Sequence, residues 1–220
     1  FDYGWDQFMH FNDDLSCGFI SSNLRNVQTD ELVFSPYKMM TFGEKKVAFV
    51  GVSTPESIAK STPSYFKDEN GEYLYDFSGG NDGDDLVKAI QSAVDDAKTE
   101  GADYVIVLGH IGTSGDVTEY WSTRYIAPRT NNIDAFIDGH THEEIPHLVL
   151  QNKDGEDVLI TQTGTKLKYV GRLIIDSEGY VSSDLIGSSE IEGTDSDTKA
   201  LVDNIKERYE SSDRKSTRLN

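Results

Sequence analysis

Short apolar runs punctuated by polar, glycine-bearing turns recur along the chain, and between them lie longer stretches where apolar residues return every third or fourth position. The short runs, rich in Val, Ile, Phe and Tyr, predict strands over Phe19–Leu24, Lys46–Ser53, Tyr104–His110, Ala135–Asp138, Val158–Thr163, Tyr169–Asp176 and Tyr180–Leu185. Helical spacing predicts a helix over Asp84–Glu100, with Leu86, Ile90, Ala93, Val94 and Ala97 in one apolar stripe and Gly101 just past its end. A second amphipathic helix is expected after Asp197, with Leu201, Ile205 and Tyr209 on one face. Strands alternating with helices predict an α/β (mixed α+β) sandwich. Ser57–Asp85, polar and carrying Gly71, Gly79, Gly80 and Gly83, reads as an exposed loop. Its acidic end, Asn81–Asp85, lacks EF-hand spacing and reads as a turn leading into a helix N-cap.

Composition narrows the function classes. With 20 Lys+Arg against 39 Asp+Glu, the 220-residue chain carries a formal charge of −19. Such a field repels nucleic acid and anionic membrane surfaces, and no basic stripe offsets it, so a nucleic acid polymer is not expected as a partner. A small phosphate ester can still bind where divalent cations override the global field. Cys17 stands alone, which excludes a disulfide framework and a cysteine-type zinc cluster, and it is expected to be a small buried residue. No apolar run approaches membrane-spanning length. A Gly-x-Ser-x-Gly elbow, a P-loop and a dinucleotide fingerprint are all missing, which argues against serine hydrolase, nucleoside triphosphatase and Rossmann oxidoreductase chemistry.

Candidate chemistry gathers at two strand ends. Gly109-His110 closes one predicted strand, and Gly139-His140-Thr141-His142 follows another. Imidazoles placed there face the carboxyl edge of the sheet, where open α/β sheets bind ligands. His140 and His142 reach one side if the backbone stays extended, and one cavity if a short loop intervenes. Imidazole with carboxylate suits zinc, manganese or iron. Asp138 is either a carboxylate orienting a ligand imidazole or a strand-end group accepting backbone hydrogen bonds. His10 is expected on the surface or in a helix, and His147 in a structural setting at the start of a strand.

These histidine motifs resemble the last two motifs of the calcineurin-like metallophosphatases, and in particular the 5'-nucleotidase branch. Phe1-Asp2-Tyr3-Gly4 is similar to the tail of that branch's Gly-Asn-His-Glu-Phe-Asp-Tyr-Gly segment. Ser21–Leu24, Lys46–Glu56, Asn132–Asp138, Thr161–Gly164 and Val170-Gly171 resemble further strands in the family's order, so that the likeness covers about residues 1–212. It implies a partial metallophosphatase-type β-sandwich flanked by helices, with residues 1–193 forming the C-terminal two-thirds of the domain and 194–212 a helix leading toward a further domain. It also implies two divalent metal ions (zinc, manganese or iron), with His110 and His140 on one and His142 on the other. Asp2 would be the carboxylate that orients a catalytic histidine. An Asp-x-His pair, a bridging Asp, a ligand Asn and that histidine would lie upstream of Phe1.

The activity implied is release of phosphate from a nucleoside monophosphate, with 2',3'-cyclic-nucleotide phosphodiesterase, UDP-sugar hydrolase and an inactive metal-binding fragment as alternatives. The resemblance further implies a small nucleotide or phosphate-ester substrate and an extracytoplasmic location. The last eight residues, Asp213–Asn220, reverse-translate without strain to a common sequencing adapter and are expected to be a non-native tail.

Overall fold

The structure, a computed structural model, describes Phe1 and residues 3–216, with side chains described as far as Glu210. Its elements are α1 (Trp5–Asp14), β1 (Leu24–Asn26), β2 (Tyr37–Phe42), β3 (Lys45–Ser53), α2 (Ser57–Lys60), β4 (Tyr75–Phe77), α3 (Asp84–Thr99), β5 (Tyr104–His110), α4 (Thr123–Ile126), β6 (Ala135–Asp138), β7 (Glu144–Gln151), β8 (Asp157–Thr163), β9 (Tyr169–Ile175), β10 (Val181–Gly187) and α5 (Ser196–Ser216). One compact unit spans residues 1–186, and a second begins at Gly187.

A six-stranded mixed sheet in the order β2-β3-β5-β6-β8-β7 organises the first unit. Strands β3, β5, β6 and β8 run parallel, and β2 and β7 close the two edges antiparallel. The central strands are buried on both faces, which is why they read as near-continuous apolar runs. On one face Ala48, Val50, Val52, Val105, Val107, Phe136 and Ile160 pack against Leu86, Ile90, Ala93, Val94 and Ala97 of α3. On the other, Val47, Ile106, Ala135 and Leu159 meet Leu173 of β9 and Val181 of β10, a hairpin that forms the second layer. The mixed α/β sandwich expected from the pattern is the fold observed.

Helix α3 follows its sequence closely. Gly83, at φ 80°, supplies the left-handed turn into it, Asp84 and Asp85 meet the positive end of its dipole, and Lys98 sits in its last turn.

Of the two edge strands, β2 was not legible in the apolar pattern, and β7 was expected only from His147 onward. Strand β2 alternates half-buried and exposed positions, and β7 contains Pro146 at a register shift between Ile145 and Leu148, where an edge strand can forgo a ladder donor. Phe19–Leu24 does not form the strand expected of it, because β1 begins only at Leu24 and pairs with β4. Its backbone instead leans on β3, with Ser22 N–H donating to Gly51 O at 2.7 Å, and the Asn23 amide accepts from Ser53 N–H while donating to the carbonyls of Ser53 and Ser78. Residues 57–85 are not a bare loop either. They hold α2, a 3-10 turn at Pro63–Phe66 and β4, and they bury Phe66 and Phe77 against Phe1, Trp5 and Phe8. Cys17 is exposed, contrary to the expectation of burial.

In the second unit α5 continues to Ser216, so its backbone enters the eight-residue tail, and residues 217–220 of that tail lie outside the described residues. Leu201, Ile205 and Tyr209 are exposed on it.

Candidate metal centre

Three parallel strands deliver chemistry to one edge. Ser53 of β3 lies opposite His110 of β5, and Leu108 of β5 opposite Ile137 of β6, so the carboxyl ends of these strands are adjacent. Beyond them come Thr54-Pro55-Glu56, Ile111–Gly115 and Gly139–His142.

The turn after β6 is not extended. His140 and His142 adopt left-handed conformations at φ 85° and 57°, uncommon for residues with a Cβ. The backbone here is therefore a short loop rather than a continuing strand. Such conformations persist only where surrounding contacts hold them, and here the contacts are specific. Asp138, 8% exposed, accepts backbone N–H groups from Ile111 at 3.1 Å, Gly112 at 3.2 Å and Gly139 at 2.7 Å, and the hydroxyl of Thr123. It is thus the strand-end carboxylate bound to backbone, and it welds the turn after β5 to the turn after β6. Close approach of these turns needs Gly109, whose Cβ would stand 3.1 Å from Asp138 Oδ1. Gln162 on β8 holds the far side, accepting from Glu143 N–H at 2.8 Å and donating to Thr113 Oγ1 at 3.2 Å.

Within this frame His140 Nδ1 lies 3.3 Å from His110 Nε2. Zn–N bonds of about 2.0–2.1 Å place neighbouring nitrogens of a tetrahedral shell about 3.3–3.4 Å apart, so the spacing fits a shared divalent ion. Although the His110 ring reaches solvent, desolvation at the strand end, followed by the nearby His140 imidazole, holds its pKa below the ordinary histidine value. A neutral ring with a free lone pair is what ligation requires. His142 is exposed.

Three further residues join the site. Glu56 Oε2 lies 2.9 Å from His140 Nε2, and Asp116 contributes a carboxylate, so that Glu56, Asp116 and His140 offer ligand-type atoms within 4.8 Å of one another. Lys60 on α2 pairs with Asp116, and this partner keeps the Asp116 carboxyl below its usual range. Sequence reading did not single out Glu56, Asp116 or Lys60. Glu56 carried a signal, an acidic residue directly after a strand and a Thr-Pro pair. Asp116 carried none. Asp2, expected to orient a catalytic histidine, lies outside the described residues. His10 is exposed on α1, 3.6 Å from Asp14, and His147 is exposed on β7.

No protein-family model matches the chain. It is 29% identical over 191 residues to snake venom 5'-nucleotidase of Crotalus adamanteus, covering 78% of this chain and 29% of that one. It is 27% identical over 168 residues to the 5'-nucleotidase of Bos taurus, covering 68% and 25%. Over this region the chain is similar to the 5'-nucleotidases. It spans between 25% and 29% of the length of these two relatives. The fold is shared with the sulfate thiohydrolase SoxB of Thermus thermophilus, which superposes with a TM-score of 0.69 at 20% identity, covering 90% of this chain and 33% of that one. Among the described residues no helix is long and apolar enough to cross a membrane.

Proposed function

We propose that this chain carries the histidine half of a two-metal centre that releases phosphate from nucleoside 5'-monophosphates. The observation that carries the proposal is the 3.3 Å approach of His110 Nε2 and His140 Nδ1 at the ends of adjacent parallel strands, in a chain whose relatives are named 5'-nucleotidases.

A pair of divalent ions would supply an acidified water and would offset charge on the transferring phosphoryl group. This chain's residues do the rest. His110 and His140 would hold one ion and His142 the other, and the welded turns would keep the imidazoles in place before any substrate arrives, so that no reorganisation is needed during the reaction. Three histidines cannot close two metal shells. The remaining ligands, an Asp-x-His pair, a bridging Asp and an Asn, are expected from parts of the relatives that this chain does not cover. Asp2 would hold the catalytic histidine in one tautomer. Zinc, manganese and iron all suit this donor set. The strongly acidic chain favours a small phosphate ester over a polynucleotide, and the resemblance supports an extracytoplasmic location.

The experiment is phosphate release from AMP, UDP-glucose and 2',3'-cyclic AMP by the protein that contains this chain, purified with manganese or zinc. Preference for AMP, lost in His140→Ala, supports the reading. Preference for the cyclic nucleotide or the sugar nucleotide would replace the substrate, and activity unchanged in His140→Ala would overturn the site.

A further inference from the structure

Glu56 is 3% exposed, and each of its carboxylate oxygens faces a donor. Oε1 accepts the backbone N–H of Val117 at 2.6 Å, and Oε2 lies 2.9 Å from His140 Nε2. A carboxylate withdrawn from water is stable only when its oxygens are satisfied. The Val117 amide can only donate, and an ionised carboxylate can only accept, so His140 must carry its proton on Nε2. A neutral imidazole protonated there has its lone pair on Nδ1, the atom that faces His110 Nε2 at 3.3 Å.

We propose that Glu56 is the positioning residue of the metal centre: by accepting from Nε2 it fixes the His140 tautomer and ring orientation, and so leaves Nδ1 as the ligand atom. The inference rests on the metal reading above. A ligand histidine whose second nitrogen donates to a carboxylate is oriented and made more basic, and losing such a partner typically weakens metal binding 10–100-fold. The need is greater here, because His140 sits at φ 85° and its backbone alone does not select this geometry. Glu56 also ties the site to the 112–118 turn through Val117, whose neighbour Asp116 is held by Lys60. Helix α2, which follows Glu56 directly, is thereby coupled to the histidine turn 84 residues away in sequence.

Glu56→Gln separates this role from simple packing, since it preserves shape but leaves one acceptor for two donors. The Val117 amide has no alternative and takes the glutamine oxygen, so the glutamine NH2 faces His140 and forces Nε2 to accept. The proton then moves to Nδ1 and blocks the ligand atom. The test uses the metal-free 220-residue chain with 15N-labelled histidine, reading the tautomer from long-range 1H–15N correlations, and zinc titration by calorimetry on the same samples. Wild type should show Nε2–H at His140, Glu56→Gln should show Nδ1–H, and zinc affinity should fall on the order of tenfold or more. Glu56→Gln with the Nε2–H tautomer retained and affinity within about twofold of wild type would overturn the positioning role, as would a wild-type Nδ1–H tautomer. Zinc binding by wild type that His140→Ala does not alter would overturn the metal reading instead, while a tautomer switch in the metal-free variant would still establish that Glu56 fixes the ring.

Discussion

Gln162 Oε1 accepts the backbone N–H of Glu143 at 2.8 Å, which fastens the far side of the histidine turn to strand β8. Gln162 is 1% exposed and also reaches Thr113 and Thr141, so one buried amide joins the turns after β5 and β6. A satisfied buried amide rigidifies its surroundings, and an unpaired partner is costly.

Gln162→Leu should therefore loosen the turn more than it empties the core. The leucine fills similar volume but leaves the Glu143 amide and the Thr113 hydroxyl unpaired, at about 1–3 kcal/mol for each group that stays dry. Zinc titration should show weaker binding than wild type, and hydrogen exchange at Glu143 should accelerate while exchange in β5 stays slow. Unchanged exchange at Glu143 would refute this assignment of Gln162.

Asp138→Ala strips the acceptor from three backbone amides and the Thr123 hydroxyl at once. Even if water rescues one group, the loss is expected to reach about 3 kcal/mol or more. Chemical denaturation should show the lower midpoint, and Asp138→Asn, which keeps one accepting oxygen, should fall between Ala and wild type.

Gly51→Ala tests the close approach that replaces the expected strand at Phe19–Leu24. A Cβ at Gly51 would stand 2.3 Å from Ile20 O, so the Ile20–Ser22 backbone must move away from β3 and the Ser22 to Gly51 hydrogen bond must stretch. The expected cost is about 1–3 kcal/mol, typical of overpacking. Thermal unfolding of Gly51→Ala beside wild type provides the measurement.

Asp134 gives a pH signature remote from the metal ligands. Its carboxylate accepts from Val105 N–H at 2.7 Å, and burial raises its pKa above the ordinary 3.8. The native state thus holds this proton more tightly than the unfolded chain, so the stabilising contribution is fully present below 3.8 and is lost as pH rises through the native pKa. Asn at this position does not titrate. Urea midpoints of wild type minus Asp134→Asn should accordingly favour wild type more at about pH 4 than at about pH 7, with the change falling between the ordinary Asp value and the raised native one. A difference independent of pH would remove Asp134 from the titrating groups.

A histidine panel separates ligand candidates from bystanders. His110→Ala and His140→Ala should each abolish or strongly weaken zinc uptake, because each removes one of two nitrogens 3.3 Å apart. His10→Ala on α1 and His147→Ala on β7 should leave it unchanged.

The buried strands β5 and β6 and helix α3 were legible because their apolar residues follow one local period throughout, so local propensity and tertiary packing agree. The paired histidines were legible too, since glycine followed by imidazole at a strand end is a local signal. Strand β2 and the start of β7 were not, because an edge strand is defined by the neighbour it pairs with and tolerates polar residues and proline on its open side. Glu56 shows the same division at the site. Its sequence context marks only a strand end, whereas its role depends on meeting His140 and Val117, 84 and 61 residues away. The sequence by itself determined that His110 and His140 arrive at the carboxyl edge of the sheet. Only the tertiary structure decided which imidazole nitrogen is left free there, because a tautomer is set by the donor or acceptor opposite it, and that partner comes from the turn after β3.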